Sequence, residues 1–178
     1  MNALGAFVGR SGDDDQLTQC AALFAEPRRM RTLALDGAGV FAVDQVVARS
    51  DAGFARRGAL TVIADARIDG RAELAAALSI SAEEGRQAPP AELIAQAWRR
   101  WGPKSPSRLI GDYAFAVWDG DSASLHLVRD FMGDRPLHYR AANDGIFAAS
   151  LPSVLAGTEG APQVNVVALA VDHAVLAQ

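Results

Sequence analysis

The sequence predicts an α+β domain built on mainly antiparallel sheets. Three observations carry this expectation: short strand candidates outnumber helices, hairpin-type turns join successive strands, and two helices sit together mid-sequence. The 178 residues fit one domain. Half of them are hydrophobic, enough to bury a core and to exclude a disordered chain.

Residues 4–8 are short and apolar, and they end at Gly9 and the turn-rich Ser11-Gly12-Asp13-Asp14-Asp15, which reads as a strand and a loop. Residues 17–24 read as a short helix, with Leu17, Ala21 and Phe24 on one face and Pro27 ending it. Residues 32–35 and 40–47 are strand candidates separated by the turn Asp36-Gly37-Ala38-Gly39. Residues 60–68, rich in β-branched side chains, form another. A helix follows, with Asp69 as the expected cap and Leu74, Ala75 and Leu78 on its buried stripe.

Pro89-Pro90 opens the next helix, where proline is tolerated in the first turn. Its apolar set is Leu93, Ile94, Ala97, Trp98 and Trp101, and Gly102-Pro103 stops it. Residues 112–119 are apolar on both faces, so that strand is expected to be buried on both. Asp119-Gly120-Asp121-Ser122 turns the chain into a strand over 124–128. A last strand spans 146–149, and residues 164–178 have weak helical periodicity.

The charge pattern narrows the function classes. A net charge of −4 without a basic stripe gives no reason to expect nucleic acid. No apolar run approaches the roughly 20 residues of a membrane span, and the amino terminus lacks a signal-peptide pattern. A soluble, cytoplasmic protein is expected. The single cysteine, Cys20, can supply neither an internal disulfide nor a zinc cluster. His126, His138 and His173 are scattered and make no metal site. Asp13-Asp14-Asp15 and the cluster Arg28, Arg29 and Arg31 read as solvated surface, and Trp98 and Trp101 as core or half-core residues.

Three stretches resemble one family. Ala64-Asp65-Ala66-Arg67-Ile68-Asp69-Gly70-Arg71-Ala72-Glu73-Leu74 is similar to the strand-to-helix segment of class II glutamine amidotransferases. Residues 92–102, followed by Arg108-Leu109-Ile110-Gly111-Asp112-Tyr113-Ala114-Phe115-Ala116-Val117-Trp118-Asp119, resemble its helix and buried strand. Arg129-Asp130-Phe131-Met132-Gly133-Asp134-Arg135-Pro136-Leu137-His138-Tyr139 resembles its Arg-Asp-x-x-Gly-x-x-Pro-Leu-Tyr hairpin. The match runs in order over roughly residues 60–155. It implies the amino-terminal glutaminase domain of an asparagine-synthetase-type enzyme, a four-layer αββα sandwich of the N-terminal-nucleophile hydrolases. Residues 1–160 are then the glutaminase-like domain, and 161–178 a tail leading toward a synthetase domain absent from this chain.

The resemblance also locates the site, and there the chain departs from the family. The family's nucleophile is a terminal cysteine whose own α-amine activates the thiol. That position is Asn2 here, and asparagine after methionine does not favour methionine removal. Cys20 lies in a predicted helix with no terminal amine beside it. The arginine for the glutamine α-carboxylate falls at Gln45, with Arg49 as an alternative equivalent after a loop shift. The Asn-Gly pair that holds the oxyanion is Asp65-Ala66 here, and a carboxylate there would repel a developing oxyanion instead of stabilising it. The aspartate for the substrate α-amine is replaced by Pro90. Gln45, Asp65, Ala66 and Pro90 are therefore expected to line a degenerate pocket beside Asn2.

Together these readings imply a domain that does not hydrolyse glutamine, within an ATP-dependent amide-forming enzyme. The Met-Gly-Asp-Arg-Pro-Leu stretch resembles the lasso-peptide macrolactam cyclase branch, which implies a structural or precursor-binding role. No cofactor is expected in this chain, with ATP and Mg belonging only to the synthetase domain. The expected partners are that domain, in cis or in trans, and a precursor peptide. The alternative is a free-standing binding module that reuses the old glutamine pocket. Arg129-Asp130, the most conspicuous charged pair, reads as fixing a hairpin and its turn.

Overall fold

The computed structural model describes residues 3–9, 30–35, 38–43, 53–142, 145–152 and 155. In chain order these form β1 (Ala3–Gly9), β2 (Met30–Leu35), β3 (Ala38–Val43), β4 (Phe54–Arg57), β5 (Leu60–Asp69), α1 (Arg71–Leu78), α2 (Ala82–Gln87), α3 (Pro90–Trp101), a 3-10 helix (Gly102–Arg108), β6 (Ile110–Asp119), β7 (Ser124–Arg129), β8 (His138–Ala142) and β9 (Gly145–Ala149). The elements fall into two compact units, each with its own antiparallel sheet.

One unit carries the sheet β2-β3-β1-β9-β8. Leu35 pairs with Ala38 and Ala34 with Gly39, so two residues expected in the β2–β3 turn already belong to the ladder. A two-residue connection suits the twist of paired strands better than a longer one. β1 runs through the middle of the sheet, paired with β3 on one side and β9 on the other. β8, which has no apolar alternation of its own, is held by its pairing with β9. There the Arg140 guanidinium lies 4.6 Å from the ring centroid of its cross-strand partner Phe147.

The other unit carries the sheet β4-β5-β6-β7 and the helices. β5 and β6 pair over ten positions, from Leu60 opposite Asp119 to Asp69 opposite Ile110. Strand alternation sends Val62, Ala64, Ala66 and Ile68 to one face, where Val117, Phe115 and Tyr113 are the cross-strand partners of the first three. These residues join Leu93, Ile94, Ala97 and Trp98 of α3 in one apolar core. Trp98 meets Phe115 edge-on at 6.3 Å and packs 4.9 Å from the His126 ring. Thr61, Ile63, Asp65, Ala114, Ala116 and Trp118 leave the opposite face and are buried too. The two-sided burial expected of β6 is thus observed. Gly111 sits where β6 crosses the end of β5 with φ 140°, and a Cβ there would lie 2.0 Å from the Arg67 carbonyl oxygen.

The helices follow the sequence with two differences. Asp69 does not cap α1: it ends β5, and its carboxylate pairs with Arg67 at 2.5 Å. The N-cap is Gly70, with no side-chain cap. The second difference is α2, an extra helix between the two expected ones. Its signal is a capping box, in which the Glu84 amide donates to Ser81 Oγ and the Ser81 amide donates to Glu84 Oε2. Arg71 closes its far end. Its Nη1 donates to the carbonyls of Gly85, Arg86 and Ala88, which a helix end leaves without partners. The segment entering Pro89-Pro90 is therefore anchored before α3 begins.

The predicted helix over 17–24 with Cys20, the acidic run Asp13-Asp14-Asp15, Arg28 and Arg29, the extension of β3 to residue 47 and the tail over 164–178 with His173 lie outside the described residues.

Candidate functional site

Asp65 stands near the middle of β5 and is 4% exposed. A carboxylate that far from water needs a partner, and Arg135 supplies one from 70 residues away. Arg135 Nη1 donates to Asp65 Oδ1 at 3.1 Å, and the guanidinium side chain is itself only 23% exposed. Arg135 lies close to β7 in sequence, and a rigid turn separates the two.

That turn is built by Asp130, which is 5% exposed. Its Oδ2 accepts from the Tyr113 amide at 3.1 Å and its Oδ1 from the Gly133 amide at 2.7 Å. The Asp130 amide in turn donates to the Tyr113 carbonyl at 2.8 Å, extending the β6–β7 ladder by one residue. Gly133 has φ 71°, and a Cβ there would lie 2.9 Å from Arg129 Cζ. The spacing Arg-Asp-x-x-Gly therefore has a physical content: a carboxylate ties the turn, and a glycine lets the arginine lie against it. The turn leaves Phe131 and Met132 outward, 79% and 76% exposed. The hairpin-fixing role expected of Asp130 is what the geometry shows. Burial, reinforced by the nearby Asp130 carboxylate, raises the Tyr113 hydroxyl above the ordinary tyrosine range. That hydroxyl donates to the Pro106 carbonyl at 3.1 Å.

Of the residues singled out from the sequence, Asp65, Ala66 and Pro90 are described, while Asn2, Gln45 and Arg49 lie outside the described residues. Asp65 and Ala66 are adjacent on one strand, so their side chains leave opposite faces. Ala66 packs against the helix-side core, and Pro90 begins α3 on that same side. The Asp65 carboxylate points away from both. Only the β5 backbone joins Asp65 to Ala66 as one site element. The Asp65 carboxylate, expected to repel a developing oxyanion, has its charge partly offset by Arg135. Among the described residues, no group of three or more His, Cys, Asp or Glu is placed to hold a metal ion. Nor is any described helix long and apolar enough to cross a membrane.

Known proteins place this geometry in a family. The model of the glutamine amidotransferase domain matches residues 42–156, which include the whole β5–β7 region and the Asp65–Arg135 pair. The chain belongs to the glutamine amidotransferase domain family. Within it, the chain is related to asparagine synthetase: it is 32% identical over 59 residues to asparagine synthetase [glutamine-hydrolyzing] 1 of Bacillus subtilis (strain 168). That match covers 33% of this chain and 9% of the relative. Among solved structures, the glutamine phosphoribosylpyrophosphate amidotransferase of B. subtilis, complexed with ADP and GMP, aligns with a TM-score of 0.61 at 16% identity. The allosteric regulatory enzyme of purine biosynthesis aligns with a TM-score of 0.59 at 14% identity. Each alignment covers 89% of this chain and 43% of the other. The α+β fold with antiparallel sheets is that of the N-terminal-nucleophile amidotransferases. The chain spans less than half the length of these structural neighbours and about a tenth of the curated relative.

Arg135 is the site residue that sequence reading did not single out. The only local signal was its place in the Asp-Arg-Pro segment of the hairpin motif; nothing in the sequence pairs it with Asp65.

Proposed function

We propose that this amidotransferase domain does not hydrolyse glutamine and serves an ATP-dependent amide-forming enzyme of the asparagine-synthetase type in a structural or precursor-binding role. The observation that carries the reading is the buried Asp65–Arg135 pair. By resemblance, that place on β5 holds the amide-glycine pair that donates to an oxyanion. An ionised carboxylate there accepts hydrogen bonds, and its partner guanidinium is already engaged with it. Asn2 at the nucleophile position supports the same reading, since a carboxamide is not activated by a neighbouring amine as a thiol is.

The synthetase domain, in cis or in trans, is the partner this reading requires, and ATP with Mg belongs to that domain. A lasso-peptide-cyclase-type parent fits the Met132-Gly133-Asp134-Arg135-Pro136-Leu137 segment, and a cytoplasmic setting fits ATP-dependent chemistry.

Incubating the purified chain with glutamine and measuring ammonia with a coupled dehydrogenase tests the proposal. No release above the blank is expected. The Asn2→Cys chain, after loss of Met1, is expected to stay silent too, because Asp65 and Arg135 remain. Turnover by the unaltered chain, or a glutamyl thioester seen by mass spectrometry, would end the proposal.

A further inference from the structure

On the helical side of the β4–β7 unit, a cavity of about 430 Å³ opens beside the carboxyl end of α3. Its size is in the range of ligand sites. Arg57 reaches it from β4, and Arg99 and Arg100 from the last turn of α3. Leu78 and Ile80 add an apolar lining. Cations in a last helical turn also complement the helix dipole. That accounts for two arginines on α3. It does not account for the cavity between them and Arg57, a residue whose own charge is paired with Glu92.

The acidic groups nearby are already committed. Glu92 Oε1 accepts from Arg57 Nε at 2.8 Å and from Gln96 Nε2 at 2.9 Å. Glu84 lines the cavity too, its carboxylate held by Ser81 in the α2 capping box, so three arginines there face one acidic side chain. Arg99 and Arg100 are exposed and have no ion pair among the described residues. The cationic surface then continues past the cavity. The Arg100 guanidinium lies 5.9 Å from the Trp101 ring centroid and that of Arg108 lies 5.0 Å from it. Between Glu92 and Asp112 the chain carries Arg99, Arg100, Lys104 and Arg108 and no acidic residue, although its net charge is −4. The strip is a local reversal of the protein's overall sign.

We infer that this cavity and the Trp101 strip form a docking site for an acidic peptide segment bearing an apolar side chain. A lone small anion would need one or two guanidinium groups. Here cations and an indole run on beyond the cavity, a length and a mixed chemistry that suit an extended chain. Charge complementarity supplies the orientation and the encounter rate. The inference names the chemistry of the partner in the precursor-binding part of the proposed function and in that respect rests on it. Ammonia release and peptide binding are separate measurements, so either can fail alone.

The test is fluorescence anisotropy with the full chain and three probes: a labelled oligoglutamate peptide carrying one phenylalanine, its oligoglutamine counterpart, and unlabelled inorganic phosphate as competitor. The glutamate peptide is expected to bind, and more weakly as salt rises. The glutamine peptide is expected not to bind. The double variant Arg99→Ala/Arg100→Ala should weaken binding about tenfold or more, or about 1.4 kcal/mol. Both side chains are exposed, so circular dichroism should show an unchanged fold. Arg67→Ala removes a cation seven residues along β5 from Leu60, the cross-strand partner of Arg57, and should leave binding unchanged. Equal binding of the two peptides, equal loss in the Arg67 variant, or displacement by phosphate at concentrations comparable to the peptide would overturn the inference.

Discussion

The two faces of the β4–β7 sheet are both closed to water, yet they are made of different chemistry. Toward the helices, Val62, Ala64, Phe115, Val117 and Val128 form an apolar core with α3, with the Tyr113 hydroxyl, the His126 ring and the Arg57–Glu92 pair as its polar members. On the other face, Thr61 and Asp65 are buried among Ile63, Ala114, Ala116 and Trp118. An apolar face gains its stability from area removed from water and tolerates loss of volume poorly. A face with a buried carboxylate gains little net stability from its ion pair and loses much if one partner is removed. The contrast separates scaffold from site on one sheet. The helix face holds the apolar core, and the other face carries the buried Asp65–Arg135 pair.

Single substitutions should expose that difference. Phe115→Ala, on the helix face, is expected to cost about 3–5 kcal/mol, since a fully buried ring leaves a cavity that α3 cannot fill. Urea unfolding followed by tryptophan fluorescence measures it, and a cost comparable to that of an exposed site would erase the contrast. On the other face, Arg135→Ala should cost about 2–3 kcal/mol by taking a charged partner from the buried Asp65 carboxylate. The double variant Asp65→Ala/Arg135→Ala should recover part of that loss. Strict additivity of the two single changes would show that the pair is not coupled.

Below both faces in magnitude stands Arg71, which ties α1 to the end of α2 through three carbonyls and to Ile68 through a fourth. Arg71→Ala is expected to cost about 1.5–2 kcal/mol, with the α2 amides exchanging with solvent earlier than those of β5. Uniform exchange across both elements would contradict a local anchor.

The helix face was the legible part of the sequence, because its determinants are periodic. β5, β6 and α3 each carry a run of apolar residues long enough to fix both element type and buried side, and Leu93, Ile94, Ala97 and Trp98 fall where that run places them. The Asp65 face was legible only in part. Its apolar alternation was visible, but an ion pair between residues 70 positions apart has no local signature. β4 is four residues long and owes its form to pairing with β5, so nothing in Phe54-Ala55-Arg56-Arg57 announces it. α2 was not expected: Ser81-Ala82-Glu83-Glu84 is a capping-box pattern, but the apolar stripe that marks a helix is missing from it. Asp69 misled for a related reason: a capping residue at a helix start was already committed to β5 and Arg67.

The smallest effect probes a buried polar group on the helix face. Tyr113 packs its ring 5.5 Å from Phe115 and spends its hydroxyl on the Pro106 carbonyl. Tyr113→Phe should cost only about 0.5–1 kcal/mol at neutral pH, the net worth of one hydrogen bond. The pH dependence is more telling. In the unfolded chain the phenol titrates near pH ~10, and in the fold burial and Asp130 raise it. The neutral form is therefore favoured by folding. Its contribution is complete below the unfolded value and is lost as pH rises through the folded one, where the unfolded state has already released its proton. The only other tyrosine is Tyr139, and it is unchanged in the variant. The difference between the parent and Tyr113→Phe stability curves thus isolates one group. The parent should fall more steeply above pH ~10, bringing the two curves together. Curves that stay parallel there would mean that the hydroxyl is solvated, and that the helix face of this sheet is looser around Tyr113 than around Phe115.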